Sequence, residues 1–445
     1  MTTSDGERNG SGHGDGAMGS MAKNLSQFNI DPRKALFTLM LCTFIDQLGY
    51  TLILPLLPGV AKGFGASDLA IGGIIAANAA TALVCGPILG KLSDRYGRKR
   101  LLIVSMLGTL ASFTLLSVSV DLTGIIASRV LDGIFSGQIP IVRAYVADIT
   151  GKKERTDVMG KMMASFSLGL IIGPSIGGLL GELNWRYPVV FGMGLSAFGT
   201  ILVFKILVES MPPKRVAEIK ARKVANSANQ PRGTSADSLL TRPILLRLTQ
   251  VFLQVLAFNA FISTLPLVLD ERFHVSPSQI GFLFSVFGVE LIVFSGLALK
   301  RILNRFGEAK LLVVSITILV FSFVIYPFID NFWSLFAFIT PPVVAMALFR
   351  PIVQSTLTKA APESRQGEAN GWGTTMQGMA QVIAPLVSTS YLEAGSLILF
   401  SITVSAYYLI GWTIAAVFVT LLLIAIIDVK LYPKDFEALV RAPIA

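Results

Sequence analysis

The sequence predicts an all-α integral membrane protein of twelve transmembrane helices, arranged as two six-helix, pseudo-symmetric halves. Three observations lead there. Apolar stretches of roughly 20 residues, the length that crosses the hydrocarbon of a bilayer, recur along most of the chain. Charged residues gather in the short segments between them. The second half also echoes the first after a shift of 210 residues.

Composition supports the class and excludes others. Of 445 residues 53% are hydrophobic and 14% charged, and mean hydropathy is +0.68. A soluble domain has no use for so much apolar surface. The net charge of +10 sits in loops between apolar spans, so topology explains it and no nucleic-acid partner is expected. Cys42 and Cys85 both fall inside spans, which leaves no disulfide framework and no CxxC metal site. His13 lies in a tail and His274 in a loop, so any proton relay through the membrane must use carboxylates.

Taken in order, residues 1–33 are polar and Gly/Ser/Asn-rich, lack the apolar core of a signal peptide and read as a flexible tail. The first half, 34–209, holds spans at about 35–60, 69–90, 101–121, 123–147, 159–182 and 187–209. Residues 210–243, with Pro212, Pro213 and a Ser/Ala/Asn/Gly run, make a hydrated linker. The second half, 244–428, holds spans at about 244–269, 278–299, 311–329, 332–358, 367–393 and 402–428, and 429–445 form a C-terminal segment.

Basic residues test this layout. With both termini inside, 31 of the 37 Lys/Arg fall in cytoplasmic segments and only Lys62, Arg186 and Arg272 fall outside. Arg129, Arg143 and Arg350 lie within spans. That bias sets the orientation, with tail, linker and C-terminus cytoplasmic. The repeat sets the halves: the 210-residue shift lays Asp94-Arg95-Tyr96-Gly97 on Asn304-Arg305-Phe306-Gly307, and Arg155 on Arg365. Repeats of this kind place a binding site between the halves near the midplane.

Between spans two and three lies Gly90-Lys91-Leu92-Ser93-Asp94-Arg95-Tyr96-Gly97-Arg98-Lys99-Arg100. Charge alone makes this a basic loop. The spacing G-x-L-x-D-R-x-G-R-[KR] resembles the signature of the major facilitator superfamily, which implies the major facilitator fold. It also marks Gly90, Asp94, Arg95, Gly97 and Arg98 as a conformational motif. In that family the aspartate matching Asp94 is thought to close the cytoplasmic side by docking on the start of span eleven.

Span five carries Gly169, Gly173, Gly177 and Gly181 at four-residue intervals, one flat helix face for close helix packing. Span eight, with Gly281, Ser285 and Gly288, is the expected partner. Together with Pro174 and Gly178 the stripe reads G-x-x-x-G-P-x-x-G-G, which resembles the fifth-helix motif of proton-coupled exporters in that superfamily.

Asp46 sits mid-span, where an ionised carboxylate costs several kcal/mol on insertion scales, so it is a candidate for reversible protonation. A structural ion pair is the plainer alternative. Asp46-x-x-Gly49 with Pro55-x-x-Pro58 resembles the first helix of drug/proton antiporters, especially the tetracycline exporters. Ala144-Tyr145-Val146-Ala147-Asp148-Ile149-Thr150 is similar to their segment after helix four. In span four, Arg129, Asp132, Ser136 and Arg143 fall within roughly 60° of one another at 100° per residue. Asp132 departs from the R-x-x-Q-G usual in the family. Glu290 and Arg350 complete the candidate coupling and cavity charges. Asn259, Gln377 and Gln381, with Phe258 and Trp372, are candidates for the substrate cavity.

No glycine loop for nucleotides, metal cluster or nucleophile–base arrangement is present, and the soluble segments are too short for an ATPase domain. The resemblance therefore implies a transporter, not an enzyme, with no cofactor and a proton gradient as the energy source. Its expected activity is efflux of small amphipathic or drug-like molecules by antiport. Its partners would be that substrate, protons and the lipid bilayer, and it is expected to act as a monomer. The cell membrane is the expected location, or an organelle membrane if the source is eukaryotic. Uptake of a metabolite is the alternative; a transport-inactive receptor is a third, which cavity carboxylates argue against.

Overall fold

A computed structural model describes residues 31–210, 240–362, 365–399 and 402–436. Residues 1–30 of the expected tail, nearly all of the linker and the end of the C-terminal segment lie outside the described residues, and 31–33 already belong to the start of the first helix.

Each half is a succession of long helices whose starts are chemically marked. Helix α1 (Pro32–Ile53) opens where Asp31 Oδ1 accepts from the N–H groups of Arg33 at 3.0 Å and Lys34 at 3.3 Å, with proline at the first helical position. A short α2 (Leu57–Gly63) leads to α3 (Asp68–Tyr96), capped by Ser67. Then come α4 (Arg98–Ser117), α5 (Leu122–Ile134), α6 (Gln138–Ile149), α7 (Lys152–Leu183) and α8 (Arg186–Ile206). The second half runs α9 (Arg242–Phe273), α10 (Pro277–Ile292), a π-helical stretch Val293–Ala298, α11 (Leu299–Phe306), α12 (Glu308–Ile325), α13 (Phe332–Ala360), α14 (Gln366–Ala394) and α15 (Ala406–Leu431).

Among the described residues, 11 helical segments are long and apolar enough to cross a membrane, counting α5 and α6 as one. The remaining long helix, α14, has 29 residues and so a length of about 44 Å. It has the reach of a span but too many polar residues to qualify by composition.

The repeat is visible in the backbone. Gly97 and Gly307, 210 residues apart, hold φ of +107° and +78° at the sharp junctions before α4 and α12, a region closed to most side chains. A Cβ on Gly97 would also run into the Glu209 carboxylate.

Several elements differ from the expected spans. Span one, expected at 35–60, breaks after Ile53 into α1 and α2, and span two continues past 90 to Tyr96. Span four breaks at Phe135–Gly137: Pro140 has no N–H for the Ser136 carbonyl, so α6 starts afresh with the proline in its first turn. The break divides the expected polar stripe, leaving Arg129 and Asp132 on α5 and Arg143 on α6. The last span starts at Ala406, not 402, because Ile402–Ser405 pairs antiparallel with Ser396–Leu399 in a small hairpin. The β-branched run Ile402-Thr403-Val404 suits a strand. The glycine stripe of α7 also has a different partner from the one expected. Gly169, Gly173 and Gly177 lie against the α1 backbone near Phe44, Leu48 and Leu52, and Gly181 against Leu56. The stripe thus knits the first half together, while an adjacent face of α7 meets α10.

Candidate functional site

The halves meet along two helix pairs, α7 with α10 and α3 with α14. Gly178 abuts Pro277, Ser278 and Gly281, and Gly281 abuts Pro174. Ser175 Oγ donates to Ser285 Oγ at 2.7 Å, and Ser285 reaches the Ile171 carbonyl. On the other pair Gly72 abuts Pro385 and Thr389, and Gly378 abuts Leu83. These contacts run from the end remote from the basic motif, at Gly72 and Gly178, to the middle of the helices, at Leu83 and Gly378. That remote end is also cross-linked by polar groups. Lys62 is ion-paired with Glu271 and lies 3.2 Å from Asp68, and the Leu69 N–H donates to Glu393 at 3.2 Å. At the basic end, Gly160 of α7, Gly296 beyond α10, and Gly367 and Gly371 of α14 face open space. Among the described residues the bonds between the halves thus run from mid-helix to the remote end, and none joins the halves at the basic end.

Asp46 belongs to the wall of the first half. On α1, Thr51 turns to α7, donating to the Gly169 carbonyl at 3.0 Å, and Gly49 backs onto Phe113 of α4. The remaining face presents Asp46, half-buried, and Tyr50, exposed. Across from it, Asn78 Nδ2 donates to Asp132 Oδ2 at 3.1 Å and to the Arg129 carbonyl at 3.0 Å. Arg129 Nη1 stands 3.6 Å from Asp132, Arg129 Nη2 donates to Ser112 Oγ at 3.4 Å, and its buried Nε has no partner among the described residues. Asp132 is close enough for its charge to act on Asp46. Two carboxylates and one guanidinium are thus the ionisable groups of this wall. Asn78, which the sequence reading passed over, orders this group. The signal was present: an amide inside an apolar, small-residue helix.

The wall of the second half is organised differently. Thr340 Oγ1 donates to Glu290 Oε1 at 2.6 Å, leaving Oε2 buried without a partner among the described residues. Arg350 is exposed well inside α13 and makes no ion pair or hydrogen bond among the described residues. Asn259 turns back on its own helix, donating to the Val255 carbonyl at 2.9 Å. Phe258 packs on Phe287 with centroids 5.8 Å apart. Gln377 is half-buried and Gln381 exposed on α14. Trp372 is exposed on another face, about 200° around that helix from Asn370.

The motif at 90–100, expected as a loop, is helical on both sides of Gly97 and makes a network at the basic end. Arg98, 9% exposed in its side chain, pairs with Asp94, approaches Asp148 to 3.3 Å and donates to Ser93 Oγ at 2.6 Å. Its N–H donates to Glu209 at 2.7 Å. Asp94, in the last turn of α3, remains 61% exposed and pairs across Gly97 with Arg98 of α4, not with α14.

With this geometry in place, the likenesses to known proteins have a structural frame. The family model of the Major Facilitator Superfamily matches residues 39–270 and 247–441, and the chain belongs to that superfamily. It is 26% identical over 397 residues to the class H tetracycline resistance protein of Pasteurella multocida, covering 88% of this chain and 95% of that one. It is 27% identical over 369 residues to multidrug resistance protein 2 of Bacillus subtilis (strain 168), covering 80% and 88% respectively. In fold it resembles the crystal structure of the human organic anion transporter MFSD10 (TETRAN), with a TM-score of 0.65, 22% identity, and coverage of 89% of this chain and 100% of that one. The chain is a multi-pass membrane transporter and not an enzyme.

Proposed function

We propose that this transporter couples inward movement of protons to efflux of small amphipathic molecules by alternating access. The observation that carries the reading is the Asp46–Asp132–Arg129 group on the wall of the opening between the halves. Protonation there changes the charge on one wall while the halves rock about their contacts. The curated relatives named for tetracycline and multidrug resistance support efflux. In this reading the basic end is cytoplasmic, in the plasma membrane, and the opening faces inward.

The test uses the full chain in liposomes with an imposed pH gradient and a fluorescent amphipathic solute. The wild-type protein concentrates the solute against its gradient in exchange for protons. Asp46→Asn abolishes uphill movement and retains exchange at equal pH, because shape survives and titration does not. Uphill transport by Asp46→Asn overturns the role of Asp46. Accumulation in the same direction as protons replaces efflux with uptake.

A further inference from the structure

Arg350 is a permanently charged group, within a helix that crosses the membrane, with no partner among the described residues. Its direction follows from the helix. Pro341 of α13 lines an outward groove with Val314 and Phe321 of α12. Nine residues later, Arg350 points about 180° away from it. One turn beyond Arg350 on the same face, Gln354 Nε2 donates to Asn370 Oδ1 of α14 at 2.8 Å. Arg350 thus faces α14 and the interior.

What α14 presents there is polar. Asn370, Thr374, Gln377 and Gln381 recur at intervals of four, three and four residues, a single helix face. The two helices run antiparallel, so a turn from Gln354 toward Arg350 corresponds to a turn from Asn370 toward Thr374 and Gln377. Gln377 and Gln381 make no hydrogen bonds among the described residues, and Thr374 and Gln381 are exposed. This stripe also accounts for the low apolarity of α14.

Of the other charges in the spans, Arg129 stands against Asp132 and Glu290 is held by Thr340, while Asp46 and Arg143 belong to the first half; Arg350 is the unpaired cation of the second-half wall among the described residues. Thr340 is ten residues, about 15 Å of helix rise, from Arg350. An unpaired guanidinium inside a span is costly, which suits a group whose partner comes and goes. Its planar fork matches carboxylate or sulfonate oxygens two at a time.

We propose that Arg350, with Gln377 and Gln381, forms a subsite for the anionic group of the transported molecule, a carboxylate or sulfonate on an apolar body. The proposal rests on the reading of the opening as a transport cavity. It divides the labour: the first half titrates and the second half holds the substrate's charge.

Binding of tritiated 1-naphthoate to the purified full chain in lipid nanodiscs tests it, with 1-naphthamide and 1-naphthylmethylammonium as competitors. Naphthoate binds at least tenfold more tightly than either. Arg350→Gln weakens naphthoate tenfold or more and leaves naphthamide within twofold. Arg350→Lys, which keeps the charge and loses the fork, falls between and serves should the glutamine variant not fold. Absent naphthoate binding, equal affinities for all three probes, or an unchanged Arg350 variant overturns the subsite. Arg350-dependent binding without proton-driven transport would retain the subsite and remove the coupling reading. Proton-driven transport without naphthoate binding would do the reverse.

Discussion

Lys62 of the first half is ion-paired with Glu271 of the second, tying the two units together at the end remote from the basic loops. Asp68 stands 3.2 Å from the same ammonium, and Tyr407 donates to the other Glu271 oxygen at 3.2 Å. Removing either partner loosens the closed end. A pair that keeps about a third of its side-chain surface in water is worth about 0.2–1 kcal/mol, or roughly 1.5- to 5-fold in population. Spin labels across the remote mouth of Lys62→Gln should show a larger fraction of long distances. An unchanged distribution removes the latch.

That latch has a defined pH response. Burial alone would lower the Lys62 ammonium, but the hydrogen bond and charge of Glu271 and the charge of Asp68 outweigh it and hold it above its ordinary range. A raised value means the bond is at full strength below the ordinary lysine value, about 10.4, and fails only as pH climbs through the higher folded value. Distances across the remote mouth should be constant between about pH 7 and pH 9. Opening within that alkaline range contradicts the assignment.

Two glycines five residues apart on α7, about 140° around the helix, have different tasks. Gly173 lies against Leu48 and Thr51 inside the first half, whereas Gly178 lies against α10 across the interface. Gly173→Leu overpacks a helix pair within one unit and should lower stability by about 1–3 kcal/mol or more. Gly178→Leu should leave each half intact and force the remote end apart. Thermal midpoints and label distances separate the two; identical behaviour of both variants refutes the division.

How much of this was legible in the sequence depends on what the signal measures. Apolar length and basic loops show helices and orientation because a bilayer imposes both, and Asp46 stood out because carboxylates are expensive there. Helix partners were less legible. A stripe at positions 169, 173, 177 and 181 reveals a close approach but not which helix approaches, and α1 took the place expected for span eight. The α5–α6 break and the strand at Ile402 depend on local backbone geometry that hydropathy does not weigh. The buried Arg247 was not singled out, because it lies only four residues into its span, although Gln250 and Gln254 on the same helix face foreshadowed a polar interior.

Asp94 is exposed and satisfied by Arg98 while the basic end is open. If closing that end brings Asp94 to the start of α14, as the resemblance implies, its carboxylate gains about 0.3–1 kcal/mol from the helix N-terminus. Asp94→Asn should therefore cost little in the open form and shift the population toward it severalfold. Labels across the basic mouth measure this. Asn304, at the repeat position, carries no full charge, so Asn304→Ala should leave the distribution unchanged.

Arg247 is the largest fully buried side chain, and its task is structural. Its guanidinium holds Asp428 at 3.3 Å, Asp435 at 2.7 Å and the Thr356 carbonyl at 2.7 Å, while Gln250 also donates to Asp428 at 3.0 Å. The cluster binds α9, α13, α15 and the turn at Pro433–Phe436 into one unit. Removing one member of a buried pair strands the other charge and costs about 3–5 kcal/mol, whereas replacing both with apolar groups is often near neutral. Arg247→Met should lower the thermal midpoint by about 6 °C or more, taking about 2 °C per kcal/mol for a unit of this size. Arg247→Met with Asp428→Leu should recover more than half of that loss, since Asp435 is partly exposed and water can solvate it. Additive losses in the double variant would show that the cluster contributes through its individual contacts and not as a charge pair.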